Sequence, residues 1–490
     1  MDVRRRFAHV LEKAQVELQG HYSVDRQSAL QAYTETTTAL RVVSVLLLTP
    51  LPCLIIIILA DVPPLEDPKE GSAANYVFWI RAAFVIGMLG AFSLHLFSHQ
   101  VQSLPLRGAD VVVVGLTASF VATASNYALS TVVGFPLPFL VVFSSLPFML
   151  VILTSIAILW GRQLSHSPEA RKQLPTSIGV VMTLWALTFV YPAYNAVYVK
   201  LHGAAQGAFV LLFPVVKLVM ANVLAHFCPY LQDATPEMVV MSVEIFHALF
   251  STYCMQGSTS LWTVAVIIGV DVLHALHSLA HVNRIASEIR ETEEYSLFEW
   301  PAFAWCRRRL NRVGPSTNDV SPRRIGATKP PKSSDQVVSR TASIVKMEDA
   351  HADEKMRQLL YLTEFVILVE YVEIIIPFIY GAYLVVCMQL PNHVYYPQLR
   401  DLEPSRLSAV VSNVLVYTLL ELVSLVILSV VLRPKLSFSP IYQLAFVLET
   451  QWLQVQLKIT FWVLYVVTQT LEHAGGDYTF QFKWLRDTKS

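Results

Sequence analysis

Residues 40–62 read LRVVSVLLLTPLPCLIIIILADV, an almost unbroken apolar stretch. A helix needs about 20 predominantly apolar residues to cross the hydrocarbon core of a bilayer. The stretch is long enough and apolar enough for this, so it predicts a transmembrane helix. Similar stretches recur along the chain, and they decide the class of fold.

Ten further apolar stretches follow the first one. They are Val77–Phe97, Asp110–Val132, Phe135–Trp160, Thr176–Val199, Gly207–Phe227, Met238–Tyr253, Leu261–Leu279, Leu359–Met388, Leu407–Leu432 and Ile441–Leu471. The first half of the last stretch contains several polar residues, which indicates a partly interfacial or protein-buried helix. The sequence therefore predicts an all-α, polytopic integral membrane bundle of ten or eleven transmembrane helices.

The composition agrees with this class of protein. The chain has 490 residues, of which 54% are hydrophobic and 15% are charged, whereas about 25% of the residues of a soluble protein are charged. The mean hydropathy is +0.49. Lys and Arg together number 36, as do Asp and Glu, so no basic field exists to attract a nucleic acid. We expect an integral membrane protein, in a plasma or internal membrane, without a nucleic-acid partner.

Basic residues predict the orientation, because cytoplasmic loops are enriched in Lys and Arg. The segment before the first span is basic and is expected in the cytoplasm; it contains Arg4, Arg5, Arg6, Lys13, Arg26 and Arg41. The C-terminal tail is also basic, with Lys483, Arg486 and Lys489. Eleven spans would place that tail outside the cytoplasm, whereas ten spans and a surface-lying segment would place it inside.

The composition divides the chain into five segments. Residues 1–39 form a cytoplasmic segment with an amphipathic surface helix at Met1–Tyr22, and residues 40–281 form an eight-span block. Residues 282–357 form an amphipathic and basic cytoplasmic loop, largely disordered, in particular from Gly314 to Lys346. A block of two or three spans follows at 358–472, and 473–490 form a short tail. In the loop, Arg307, Arg308 and Arg309 follow several aromatic residues and are expected to contact an anionic inner leaflet.

Ionisable residues inside the spans are the candidate functional residues, because a charge at bilayer depth is costly unless it faces a partner or a cavity. Arg81 and Asp110, in contrast, lie near helix ends and are expected to extend to the interface. The first group of mid-span residues is on spans seven and eight: Glu244, His247, Asp271, His274 and His277.

Spans seven and eight are expected to form an antiparallel hairpin around Thr259. In that hairpin Glu244 lies opposite His274 and His247 lies opposite Asp271, because each pair is equally far from the turn. Three interpretations compete: mutual hydrogen bonding that holds the hairpin together, a proton relay through imidazole, and a site for a divalent metal ion. No metal-binding motif is present, and no other cofactor is expected.

The second group is on spans nine and ten. Glu373 and Glu421 are equally far from Pro397, the centre of the connecting loop, and each lies near the middle of its span. Two carboxylates at the midplane cannot easily both be ionised, so one proton or one cation would be shared between them. Pro377 removes the helical donor for the carbonyl of Glu373, as in the broken-helix cation sites of transporters.

An alternative for the second group is structural. Glu373 could form a buried ion pair with Lys217, which lies in span six just after Pro214, or with Lys458 in the last segment. Glu370, one turn before Glu373, completes the set of candidates for ion coupling or substrate binding.

Three functions are compatible with these patterns. The first is a secondary transporter that couples a small solute to a proton or another cation, with Glu373 and Glu421 as coupling carboxylates and Lys217 as counter-ion or substrate contact. The second is a non-catalytic receptor or scaffold whose cytoplasmic loop recruits partners. The third is a membrane metalloprotein that uses the residues of spans seven and eight. No catalytic motif is present, and enzymatic activity is not expected.

Overall fold

The computed structural model describes most of the chain. The described residues are 16–18, 20–101, 104–198, 200–201, 212–257, 333–400, 403–436 and 439–476, with single residues and short pieces between 205 and 287. Within these ranges all regular elements are helices, and no strand occurs. The protein is therefore all-helical in the part that the structure describes.

The longer helices are numbered in chain order. They are α1 Val24–Thr36, α2 Ala39–Leu48, α3 Leu51–Asp61, α4 Tyr76–Gln100, α5 Gly108–Val133, α6 Leu140–His166, α7 Pro168–Tyr198, α8 Phe213–His226, α9 Thr235–Val239, α10 Ile245–Gly257, α11 Ser333–Cys387, α12 Pro404–Leu436, α13 Pro440–Thr450 and α14 Trp452–Gln469. A π-helical segment, Val240–Glu244, joins α9 to α10. Short 3₁₀ turns and single helical turns connect several of the others.

Six helical stretches in the described residues are long and apolar enough to cross a membrane: Ala39–Asp61, Tyr76–Gln100, Gly108–Val133, Leu140–His166, Pro168–Tyr198 and Arg406–Pro434. Each coincides with a predicted span, with ends that differ by a few residues. The chain is thus a polytopic integral membrane protein. The total of ten or eleven spans and the side of the N-terminus stay predictions.

The second half of α11 forms the centre of the bundle. Nearly all side chains between Leu359 and Cys387 are buried, as expected for a helix that is apolar on every side. Gly381 allows α12 to approach, because a Cβ at this position would lie 3.3 Å from a side-chain carbon of Val414. Pro377 lies inside this helix without ending it.

The last segment runs along the bundle from one end to the other. At its start, Glu449 is ion-paired with Arg41 at the beginning of the first span. After its end, His473 contacts the carbonyl of Glu66, just beyond the same span. Gln454 and Lys458 are buried, so the polar half of this segment lies within the protein rather than at a membrane surface.

The first long helix that the structure describes near the N-terminus is α1. Residues 1–15 of the predicted helix Met1–Tyr22 lie outside the described residues, and the described helix, α1, begins only after Ser23. The Ser23 hydroxyl accepts a hydrogen bond from the Arg26 amide, 3.1 Å away, which is the preferred chemistry for the residue that caps a helix N-terminus.

Most of the loop predicted at 282–357 lies outside the described residues. α11 begins at Ser333, inside the stretch predicted to be disordered. The residues before the first apolar turn of α11 include Ala, Glu, Lys, Met and Arg, which favour helix, and they extend a helix that is already buried in the bundle. Residues 314–332 and Arg307, Arg308 and Arg309 lie outside the described residues.

Candidate functional site

A buried lysine lies between two carboxylates in the interior of the bundle. Lys217 Nζ of α8 is 2.7 Å from Glu244 Oε2 and 3.8 Å from Glu373 Oε1. The three side chains are only 12%, 6% and 8% exposed, respectively. We call these three residues the lysine cluster. It joins α8 and the π-helical segment, which are close together in the sequence, to α11, which is far from both.

Two members of the lysine cluster lie beside an irregularity of their own helix. Glu244 is the last residue of the π-helical segment, whereas Lys217 follows Pro214, which occupies an ordinary position for proline in the first turn of α8. Glu373 lies one turn before Pro377, which has no amide hydrogen to donate to its carbonyl. π-helical turns and proline breaks inside helices are frequent at functional sites, because they free backbone groups and permit local movement.

The charge of the lysine cluster does not cancel when all three groups are ionised. One ammonium and two carboxylates give these three groups a net charge of −1, and charge among apolar helices is unfavourable unless a neighbouring group balances it. A proton or a cation is one group that would balance it, and exchange of such a charge is the chemistry that ion coupling requires.

His247 lies next to the lysine cluster, one turn after Glu244. Its imidazole is 6% exposed and stacks on the ring of Phe213, with centroids 4.2 Å apart and an interplanar angle of 22°. An imidazole has the chemistry of a proton relay, and this one lies one turn from Glu244. Asp271, His274 and His277 lie outside the described residues, so the predicted pairing across spans seven and eight stays a prediction.

The two other predicted coupling residues are also buried. Glu370 is 4% exposed on α11, and Glu421 is 7% exposed on α12. The contact between Gly381 and Val414 aligns α11 with α12 as antiparallel neighbours. Counting along both helices from that contact places Glu373 and Glu421 at similar depth. Direct contact between their carboxyl groups stays a prediction.

A second buried ion pair involves Lys458, which the sequence offered as one possible partner of Glu373. Lys458 Nζ instead lies 2.6 and 2.8 Å from the two carboxylate oxygens of Glu237. The side chains of this pair are 0% and 1% exposed. The sequence analysis missed Glu237 because it directly precedes the predicted start of span seven, where a glutamate is normally solvated.

Arg81 does not extend to the interface, in contrast to the sequence prediction. It is buried and forms an ion pair with Asp61, and its Nη2 donates to the Tyr396 hydroxyl at 2.9 Å. Tyr383 also donates to Asp61, at 3.0 Å. Arg81 therefore helps to hold α3, α4 and the end of α11 together. The sequence contained a signal for this ion pair. Within the apolar stretches, Asp61 and Arg81 are the only charged residues near these two facing helix ends.

A further buried ion pair fixes the N-terminal helix to the bundle. Arg26 of α1 lies 2.7 Å from Glu364 of α11, and the Tyr22 hydroxyl donates to the same carboxylate. Burial, and next the negative charge of Glu364, raise the pKa of Tyr22 well above its usual value. The tyrosine therefore remains a proton donor to Glu364 at physiological pH.

The described residues contain no group of three or more His, Cys, Asp or Glu side chains that could hold a metal ion. Three of the five residues of the proposed metal site lie outside those ranges. No family model, curated protein or solved structure matches this chain.

Proposed function

We propose that this protein is a secondary transporter that couples the movement of a small solute to a proton or another cation. The observation that supports the proposal is the lysine cluster, in which two buried carboxylates share one ammonium group. Loading and release of one positive charge there would be linked to a change in helix packing. The π-helical segment and Pro377 are the places where that packing could change.

The two carboxylates have different roles in this proposal. Glu244, 2.7 Å from Lys217, keeps the ammonium paired. Glu373, 3.8 Å away, is the carboxyl that exchanges the proton, because its interaction with the lysine is weaker. Glu370, His247 and Glu421 are buried nearby on the same or neighbouring helices, and they provide the further steps of a proton path.

The test uses proteoliposomes adsorbed on a solid-supported membrane, which report charge movement when a solute is added. A panel of amino acids, organic acids, sugars and nucleosides is screened at acidic and at alkaline pH. We expect at least one solute to give a current that depends on pH, and Glu373→Gln to abolish that dependence while the protein still inserts.

Glu449→Gln is the matched control, because Glu449 belongs to a partly exposed ion pair with Arg41 at the end of the bundle. Its currents should keep the pH dependence of the unchanged protein. Currents of Glu373→Gln with an unaltered pH dependence would contradict the proposal and favour the receptor or scaffold interpretation.

A further inference from the structure

An apolar cavity lies among α4, α6, α7 and α14, away from the lysine cluster. The cavity itself has a volume of about 110 Å³. The empty space measured together with its opening is about 1010 Å³. Its lining along α4 reaches from Ala82 to Leu96, which corresponds to about 21 Å of helix at 1.5 Å per residue. The cavity is therefore a long and narrow slot.

The slot has one polar end. Thr468 and Gln469 line it at the end of α14, on the side where α4 begins. Thr468 is 8% exposed, and among the described residues neither its Oγ1 nor Gln469 Nε2 has a hydrogen-bond partner although both atoms are buried. Buried polar groups are nearly always hydrogen-bonded, so these two donors are suited to bind an oxygen acceptor at this end.

The other end of the slot is apolar. The rings of Phe92 and Phe461 contact each other there at an interplanar angle of 37°, with centroids 4.9 Å apart. Ser93, the polar residue at this level, already donates to the carbonyl of Leu89 at 2.8 Å. The slot thus changes from hydrogen-bonding to hydrocarbon-like along its length, as a membrane lipid does.

The slot lies beside the lipid-facing surface. On α6, Ser145 lines it, while the next residue, Leu146, is 68% exposed and Leu150, one turn further on, is 59% exposed. The slot is therefore separated from the exposed apolar face of α6 by no more than the width of this helix.

We propose that this slot binds one acyl chain of a membrane lipid, with an ester or carboxyl oxygen of that lipid accepting hydrogen bonds from Thr468 and Gln469. A small volume distributed over about 21 Å fits a single flexible chain, whereas a rigid ring system needs a wider space. This inference does not depend on the transport function.

The test uses a phospholipid whose acyl chain has a photoreactive diazirine and an alkyne tag, incorporated into proteoliposomes with the full-length protein. After illumination, labelled peptides are identified by mass spectrometry. We expect labelling of the slot segments 82–96 and 140–149, reduced at least fivefold in Leu89→Trp, which fills the slot.

Two further variants make the result specific. Phe84→Trp changes an exposed residue of the same helix and should leave the labelling of the slot unchanged. Thr468→Val combined with Gln469→Leu removes the hydrogen-bond donors and should reduce labelling without filling the slot. This double variant tests the proposal even if Leu89→Trp does not fold.

Three results would overturn the proposal. Equal labelling of the slot in all variants would show that the donors and the space do not hold the lipid. Labelling confined to outward faces such as Leu146 and Leu150 would show ordinary contact with the bilayer. Labelling of the slot by a photoreactive sterol, with no labelling by the acyl probe, would assign the slot to a sterol instead.

Discussion

Lys217 shares its ammonium group unequally between two carboxylates. The oxygen of Glu244 is 1.1 Å closer than that of Glu373, from the distances of 2.7 and 3.8 Å. Inside a low-dielectric bundle, a contact at hydrogen-bond distance contributes more than a longer ionic contact. The consequence is that the two glutamates, similar in burial, should respond differently to the same substitution.

We predict that Glu244→Gln lowers the thermal stability of the purified protein more than Glu373→Gln does. Loss of the nearer partner leaves a buried ammonium poorly compensated, which costs about 3–5 kcal/mol. Loss of Glu373 leaves the closer pair intact and removes a surplus negative charge. The midpoints of thermal unfolding in detergent measure both effects, and a larger loss for Glu373→Gln would show that Glu373 is the structural partner.

We predict that His473, at the end of the bundle near Asp61, makes the free energy of unfolding depend on pH. Its Nε2 lies 2.9 Å from the Glu66 carbonyl and 3.0 Å from Asn75 Oδ1, so Nε2 is the donor. Nδ1 is buried with no partner in the described residues. Burial therefore lowers the pKa of His473 from 6.5 to about 4.

The unfolded chain binds a proton at this histidine at higher pH than the folded chain does. The free energy of unfolding is thus unaffected above the unfolded pKa of 6.5 and falls as the pH decreases towards about 4. His473→Gln should flatten this part of the stability profile, whereas His166→Gln, at an exposed position, should not. An unchanged profile for His473→Gln would show that folding does not lower the pKa of this histidine.

The residues of the site were only partly predictable from the sequence. Glu373 and Lys217 were found because ionisable groups in mid-span are unusual, and that signal needs no knowledge of neighbours. The partnership of Lys217 with Glu244, and of Arg26 with Glu364, joins residues that are distant in the sequence. Such pairs depend on helix packing across the bundle, which a single sequence does not specify.

At the scale of elements, α1 is held at the end of the bundle by buried polar contacts. Arg26 pairs with Glu364, and Ser23 contacts Asp233 through its amide and its hydroxyl, at 2.8 and 2.5 Å. The sequence predicted an N-terminal surface helix at Met1–Tyr22, most of which lies outside the described residues. It did not identify Ser23 as the cap of the helix that follows.

We predict that Arg26→Gln loosens α1. Glu364 is fully buried, so removal of its cationic partner should destabilise the folded protein by about 3–5 kcal/mol. It should also increase hydrogen exchange of the amides in 24–36. Arg41→Gln is the control, because the Arg41 side chain is 62% exposed and solvent screens its ion pair. Unchanged exchange in 24–36 would show that α1 is docked by its other contacts.

For the whole molecule, the helical class and most helix positions followed from hydrophobicity alone. A chain that crosses a bilayer needs long apolar helices whose backbone hydrogen bonds are internal. Such helices can be recognised from the hydrophobicity of the local sequence. The path of the last segment was harder to predict, because its first half contains Gln and Lys residues that lie against other helices rather than against lipid.

From the path of the last segment we predict on which side of the membrane Lys69, Arg107 and Glu472 lie. Lys69 and Glu472 lie at the same end of the bundle, since His473 contacts Glu66, whereas Arg107 follows α4 at the opposite end. Single substitutions to cysteine at these three positions should therefore label with an impermeant maleimide from one side at 69 and 472 and from the other side at 107. The unsubstituted chain provides the background, and labelling of 472 together with 107 would show that the last segment does not cross.

The central claim is that the carboxyl group of Glu373 gains and loses a proton inside the bundle. Infrared difference spectroscopy of the protein in lipid, between acidic and alkaline buffer, detects the C=O stretch of protonated carboxyl groups. We expect a carboxyl band that is present in the unchanged protein and in Glu449→Gln and absent in Glu373→Gln. An identical band in all three proteins would contradict the assignment of Glu373 as the proton-exchanging group.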